Sequence, residues 1–170
     1  MELTRYSSLA DLSGGQDLIA GLWREAFRDS AAAAGRDFDG DFARHAGRRD
    51  FQLLVARDPH PVGFAYGYSG ERGQWWPEWV ASAAPAPVVR EWLDVPHLEV
   101  VELAVAPAAR GRGIGRSLLE VLLHGSPHAR AVLTTESGNT SARHLYRETG
   151  WQLLVEDLYP GWCLYGWTAT

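Results

Sequence analysis

Seven consecutive residues, Arg110, Gly111, Arg112, Gly113, Ile114, Gly115 and Arg116, interleave three glycines with three arginines and one isoleucine at the start of an apolar helical pattern. A glycine-rich turn that opens straight into a helix aims unpaired backbone N–H groups at one point. The positive end of the helix dipole backs them, and that combination binds phosphate. Arg110, Arg112 and Arg116 add positive charge beside the turn, so a diphosphate is the natural guest. Two familiar phosphate loops do not fit. No Lys follows the glycines, as the NTPase loop requires. The dinucleotide fingerprint Gly-x-Gly-x-x-Gly ends on Arg116 when started at Gly111, and on Leu118 when started at Gly113.

The elements that must position this turn are legible around it. Leu98–Val105 reads as a strand, with Val100, Val101, Leu103 and Val105 supplying β-branched and apolar bulk. Pro107 to Gly113 forms the turn. Ile114, Leu118, Leu119 and Leu122 follow at a helical period, and Gly125 and Pro127 stop the helix. A second segment, Thr134 to Trp151, has a short strand over Ala131–Thr135, a break at Gly138-Asn139 and a helix from about Thr140. Ala142, Leu145, Tyr146 and Thr149 share one face of that helix, and Gly150 stands at its C′ position.

The motif Arg110-x-x-Gly113-x-Gly115, preceded by Val105-x-Pro107 and followed by Leu118-Leu119, closely resembles the acetyl-CoA signature of the GNAT superfamily of N-acetyltransferases. That signature is Gln/Arg-x-x-Gly-x-Gly/Ala after a strand. Asn139, Ala142, Leu145-Tyr146 and Gly150-Trp151 match a second family pattern at the expected spacing. The resemblance covers roughly Leu98 to Trp167 and is only architectural over the first seventy residues. It implies an α+β GNAT fold, with a mixed, mostly antiparallel central sheet of about six to seven strands flanked by about four helices.

The implied chemistry is direct acetyl transfer from acetyl-CoA to a primary amine of a small molecule or peptide, with no metal. The diphosphate would rest on the N–H groups of Gly111, Arg112, Gly113, Ile114 and Gly115, with Arg110 and Arg116 beside them. The pantetheine arm would add to the edge of the signature strand through the main chain of Leu103, Ala104 and Val105, and Asn139 would contact it from the other side. A free thiol ordinarily ionises near a pKa of about 8.5, and a tyrosine, ordinarily near about 10, keeps its proton at neutral pH and can supply it to the leaving thiolate. Tyr146 occupies the family's position for this acid; a half-buried Tyr that packs on the cofactor through its ring is the plainer alternative. The acceptor arrives as ammonium and must lose a proton, for which Glu102 is preferred over Glu99, with water as the remaining option. Either carboxylate could instead be salt-bridged or face solvent.

Composition frames this reading. At 170 residues the chain should bury about 70% of its unfolded surface as a single domain spanning residues 1–170. A net charge of −5 argues against a general nucleic-acid or anionic-membrane binder, so the arginines of the turn form a local basic spot. A lone cysteine, Cys163, excludes an internal disulfide. MELTRYSSLA lacks a signal-peptide core and no apolar run reaches membrane-spanning length, which points to the cytoplasm.

Along the rest of the chain, Leu3–Ser7 is a candidate first strand, Leu12–Ala34 a helix and Asp39–Arg48 a shorter helix. Phe51–Ala56 and Val62–Tyr68 read as antiparallel strands joined through Asp58-Pro59-His60-Pro61. Final strands are expected near Trp151–Val155 and Trp162–Thr168. Ser69–Pro96 is an excursion in which Trp75, Trp76, Trp79 and Trp92 interleave with Glu71, Glu78, Glu91 and Asp94. It reads as an aromatic lid for a cationic or sugar-like amine, as a satellite apolar cluster, or as a homodimer surface.

Asp37-x-Asp39-Gly40-Asp41 imitates a calcium loop, but Phe42 and Arg48 stand where that loop needs Gly and Glu, so helix capping is the expected use. His124 and His128 are separated by Gly125 and Pro127, which break helical register and disfavour zinc. Cys163 reads as a small core residue. The alternative from another functional class is a catalytically silent acyl-CoA sensor or partner-docking module.

Overall fold

The computed structural model describes residues 1–170. Seven strands form one mixed sheet in the order β1-β2-β3-β4-β5-β7-β6. They are β1 (Glu2–Tyr6), β2 (Gln52–Arg57), β3 (Pro61–Gly70), β4 (His97–Val105), β5 (Arg130–Glu136), β6 (Gln152–Tyr159) and β7 (Trp162–Thr168). The main helices are α1 (Gly15–Ala26), α2 (Phe38–Ala46), α3 (Trp75–Ala81), α4 (Ala86–Val88), α5 (Ile114–His124) and α6 (Thr140–Glu148). The chain divides into two compact units, one of residues 1–68 with 101–125 and one of residues 69–100 with 126–170.

In the first unit, β1 runs antiparallel to β2 and β2 antiparallel to β3. One face of these strands is covered by α1 and α2. Ile19 and Trp23 of α1 and Phe38 and Phe42 of α2 bury against Leu53, Val55, Phe64 and Tyr66. Aromatic stacking sets this interface, with Trp23 and Phe38 rings 4.8 Å apart and nearly parallel. α5 packs on β2, and its Leu118, Leu119 and Leu122 are each fully buried. Arg5 of β1 clamps this layer by donating to Gln52 Oε1 and, at 2.7 Å, to the Val121 carbonyl of α5.

The second unit holds the start of β4, in parallel register with β5 through Leu98↔Ala131 and Glu99↔Val132. β5 pairs antiparallel with β7, and β7 with β6. Its core gathers Val80, Trp92, Leu93, Val132, Leu158 and Leu164.

One expectation is corrected here, and an excursion that carried no assigned elements gains them. The first helix ends at Ala26, not Ala34. Ala31–Ala33 instead form a separate 3₁₀ turn, whose Ala33 N–H donates to the Ser30 hydroxyl. High alanine propensity loses because this run offers no bulky apolar face to bury. The excursion over residues 69–96 is largely helical. Pro77 sits in the first turn of α3, where its missing N–H costs nothing, and α4 runs into a π turn over Val89–Leu93. Most of its tryptophans are structural: Trp92 is buried and Trp76 and Trp79 pack against the same core, while Trp75 stays exposed. Cys163 lies buried in β7, as expected. Asp37 caps α2 by accepting from the Gly40 N–H at 3.1 Å. No helix is long and apolar enough to cross a membrane.

Candidate active site

The strand–turn–helix of the first unit presents what the sequence promised. β4 ends at Val105, and Ala106 closes the approach by donating its N–H to the Val62 carbonyl at 2.8 Å. Pro107–Ala109 make one 3₁₀ turn. Gly111 and Gly113 then adopt φ of 74° and 77°, a region that L side chains enter only at a cost of about 1–2 kcal/mol. Gly113 is the N-cap of α5 and supplies no capping side chain. The first amides of the helix therefore point outward without an intrahelical acceptor. A Cβ built on Gly111 or Gly113 would meet nothing within 4 Å. The surface over the turn is open and lined by amide hydrogens, which suits a diphosphate.

The three arginines divide their work. Arg110 turns back onto the protein: its Nε donates to the Val105 carbonyl at 3.1 Å and its Nη2 to the Ala26 carbonyl at 2.6 Å. It braces the turn instead of hanging free above it. Arg112 pairs with Asp58 of the β2–β3 turn. Arg116 lies 3.9 Å from Glu120 along α5. Two of these cations are thus partly neutralised by carboxylates.

Glu102 sits on β4 with only 8% of its side chain exposed, 3.1 Å from Nη2 of Arg36, which is 39% exposed. Burial pushes the carboxyl above the ordinary carboxylate range, and the Arg36 guanidinium pulls it partly back. The same guanidinium lies over the Trp23 ring, 5.4 Å from its centroid. Tyr66 belongs to this neighbourhood. Its hydroxyl is raised well above its usual range by burial and by the Glu102 charge, and it lies 3.0 Å from His45 Nδ1. Burial drives His45 down to about 4, so its ring is neutral at physiological pH. Sequence reasoning missed Trp23, Arg36, His45 and Tyr66, because each lies far along the chain from Glu102 and carries no motif.

In the second unit, Asn139 caps α6, its Oδ1 accepting from the Ala142 N–H at 3.1 Å. The cap uses the oxygen and leaves the NH2 end for another acceptor. Tyr146 is buried on α6, its ring 5.7 Å from Trp151 and 5.4 Å from Tyr165. Gly150 ends the helix at φ 82°, the left-handed C′ turn expected of it. Glu99 is also buried in β4. His128 Nε2 lies 2.6 Å from the Ser69 hydroxyl, while His124 Nδ1, in the first unit, contacts the Glu120 carbonyl.

Comparison with known proteins decides the family. Residues 16–151 match the model of the acetyltransferase (GNAT) family. The chain belongs to the GNAT acetyltransferases. A GCN5-like protein acetyltransferase of Mycobacterium tuberculosis is 31% identical over 158 residues, spanning 86% of this chain and 76% of that protein. The fold is shared with a GNAT-family acetyltransferase from Streptococcus agalactiae, at a TM-score of 0.72 and 18% identity over 99% of this chain and 96% of the other. It is shared as well with the PaiA N-acetyltransferase of Thermoplasma acidophilum, solved with coenzyme A, at a TM-score of 0.64 and 14% identity over 99% and 100% of the two chains. The GNAT motifs read from the sequence therefore lie on the strand, turn and helices they were assigned to.

Proposed function

We propose that this GNAT protein is a single-domain enzyme that moves an acetyl group from acetyl-CoA to a primary amine of a small molecule or peptide. The observation that carries the reading is the open, uncapped start of α5, with Gly111 and Gly113 in left-handed conformations and clear space above both. In this reading the amides of Gly111 to Gly115 hold the donor's diphosphate, braced from below by Arg110, with Arg112 and Arg116 nearby. The main chain of Leu103, Ala104 and Val105 takes the pantetheine arm as an added strand, and Asn139 contributes its NH2 group.

During transfer a C–N bond forms and the C–S bond breaks. The proton shed by the acceptor ammonium passes to Glu102, directly or through water. Burial raises that carboxyl toward neutrality, and a base is most useful when its pKa lies near the working pH. The departing sulfur takes a proton from Tyr146, and the second proton, which the nitrogen sheds as the tetrahedral adduct collapses, returns through water to that tyrosine. That role rests on the match of Asn139, Tyr146 and Gly150 to the family pattern and on the burial of the tyrosine.

Thiol release from acetyl-CoA across a panel of amines tests this. Release that depends on amine and falls about 100-fold or more in Tyr146→Phe agrees with the proposal. Saturable CoA binding with no turnover on any amine would favour a silent acyl-CoA sensor.

A further inference from the structure

One cavity of the second unit has no part in the acetyl transfer described above. A notch of about 160 Å3 opens between the end of β5 and one face of α6, lined by Ser137, Thr140, Arg143 and Arg147. A single water needs about 10–15 Å3 of such space, so the notch has room for a small anion. Thr140, Arg143 and Arg147 fall at the spacing of one helix face. That face turns toward β7 and β6, because Arg143 donates to the Tyr165 hydroxyl at 3.1 Å and to Glu156 Oε2 at 2.8 Å. Arg147 stands about 80° around the helix from Asn139, and Thr140 about 100°. The notch therefore lies on a different face from the residue assigned to the pantetheine arm.

Its wall is made of donors. Arg143 is fixed by a third bond, to the Ser137 carbonyl at 3.0 Å, which leaves two of its N–H groups unused. Arg147 is exposed, and its guanidinium has no ion pair or hydrogen bond within the protein. Ser137 Oγ is buried and completes no hydrogen bond. Beside it lies the Cys163 sulfur, a weak acceptor, whose own thiol is directed to the Thr135 carbonyl at 3.4 Å. A buried hydroxyl in this state is costly, and a ligand oxygen in the notch would complete it. The carboxylate in contact with this set is Glu156, which is 49% exposed. An exposed pair of this kind is weak and yields to a stronger anion.

We propose that this notch is an anion site, distinct in its residues from the α5 turn, that takes the phosphate group of a phosphorylated small molecule. Four donor side chains from two elements line it, a set that suits the three terminal oxygens of a phosphate monoester better than the two of a flat carboxylate. Arginine forks are well shaped for such oxygens. Two guanidiniums against one carboxylate leave a positive balance, on a chain whose net charge is −5. The site asks nothing of acetyl-CoA, so the inference goes beyond the acetyltransferase reading and does not depend on it.

The test is a titration of 15N-labelled protein with methyl phosphate at pH 8 and constant ionic strength, where the probe is a dianion. The Arg143 and Arg147 Nε–H signals and the Ser137 and Thr140 amides should shift and saturate at millimolar probe. Arg147→Gln changes an exposed side chain and should weaken binding by about 10-fold, the loss of one charge-assisted bond. Ser137→Ala removes the orphan hydroxyl and should weaken it by about 5-fold; it serves alone if the first variant fails to fold. Glu156→Gln removes the competing carboxylate and should tighten binding by about 3-fold, the scale of an exposed pair. Acetate should bind about 10-fold more weakly than methyl phosphate. Shifts that do not saturate, unchanged affinity in Arg147→Gln or Ser137→Ala, no tightening in Glu156→Gln, or equal binding of acetate overturns the proposal. A last arm compares CoA with dephospho-CoA. Movement of the Arg147 signal by CoA alone would seat the donor's own ribose phosphate in the notch and overturn its assignment to a second ligand. None of these failures touches the Gly113 amide or thiol release, so this inference and the acetyltransferase reading fail separately.

Discussion

Replacing Gly113 by alanine separates backbone strain from ligand recognition. Gly113 has φ 77°, and an added Cβ would meet nothing within 4 Å. The folded apo protein therefore loses only the left-handed penalty, about 1–2 kcal/mol, which lowers Tm by about 2–8 °C in a chain of this size. The ligand site should lose more. If the backbone relaxes or the methyl group holds the diphosphate away, two charge-assisted hydrogen bonds at about 1.5 kcal/mol each amount to about 100-fold in Kd. Thermal unfolding with and without CoA measures both effects. At a CoA concentration 100 times Kd the natural chain gains about 2.7 kcal/mol, or about 5–11 °C. At the same CoA concentration the variant gains about 0.4 kcal/mol, or about 1–2 °C. Gly161→Ala is the matched control. Its φ of 82° and open surroundings impose the same strain in the turn between β6 and β7, so apo Tm should fall similarly while the CoA-induced rise stays full. A full CoA-induced rise in Gly113→Ala would refute the argument that these amides grip the diphosphate.

Three further outcomes follow from named contacts. Arg110→Lys keeps the charge but cannot span the Val105 and Ala26 carbonyls together, so calorimetry should show CoA affinity reduced by about 10-fold, roughly the loss of one such bond; unchanged affinity would mean the bracing is irrelevant. Because burial raises Glu102, kcat/KM should fall on acidification through a limb above the free glutamate value of about 4.3. Glu102→Gln should lower the rate by about 100-fold or more and abolish that limb, and a limb that survives the substitution assigns it elsewhere. His45, held at about 4, should stay neutral at pH 5.5 by NMR. Since the unfolded chain takes up that proton first, stability from this group is complete above about pH 6.5 and is lost as the pH falls toward 4. Ordinary titration near 6.5 in the folded protein would contradict its burial.

The α5 turn, α6 and β7 were legible because their signals are local. Glycines at required positive φ, an apolar helical period and alternating strand residues act within a dozen positions of one another. β7 was expected over Trp162–Thr168 and occupies that range. Errors arose where a local preference met a tertiary demand. Ala31–Ala34 favour a helix by composition, yet the chain must turn there to bring Arg36 and α2 against Trp23. Residues 69–96 read only as an excursion with no elements assigned, because their prolines, glycines and alanines blur the helical period; proline at a helix start is permitted and the tryptophans supply an apolar face. Glu102 was singled out from its place on the strand. Its partner Arg36, 66 residues away in sequence, and the neutral His45 beneath Tyr66 exist only through folding, and no spacing rule reaches that far.

The central claim is that backbone amides at the start of α5 hold the diphosphate of coenzyme A. Titration of 15N-labelled protein with CoA, set beside pantetheine, which lacks the diphosphate, tests it most directly. The account predicts large downfield shifts of the Gly113, Ile114 and Gly115 amide protons with CoA, and none with pantetheine. Saturation by CoA that leaves those three signals in place, or no binding at millimolar concentration, would contradict it.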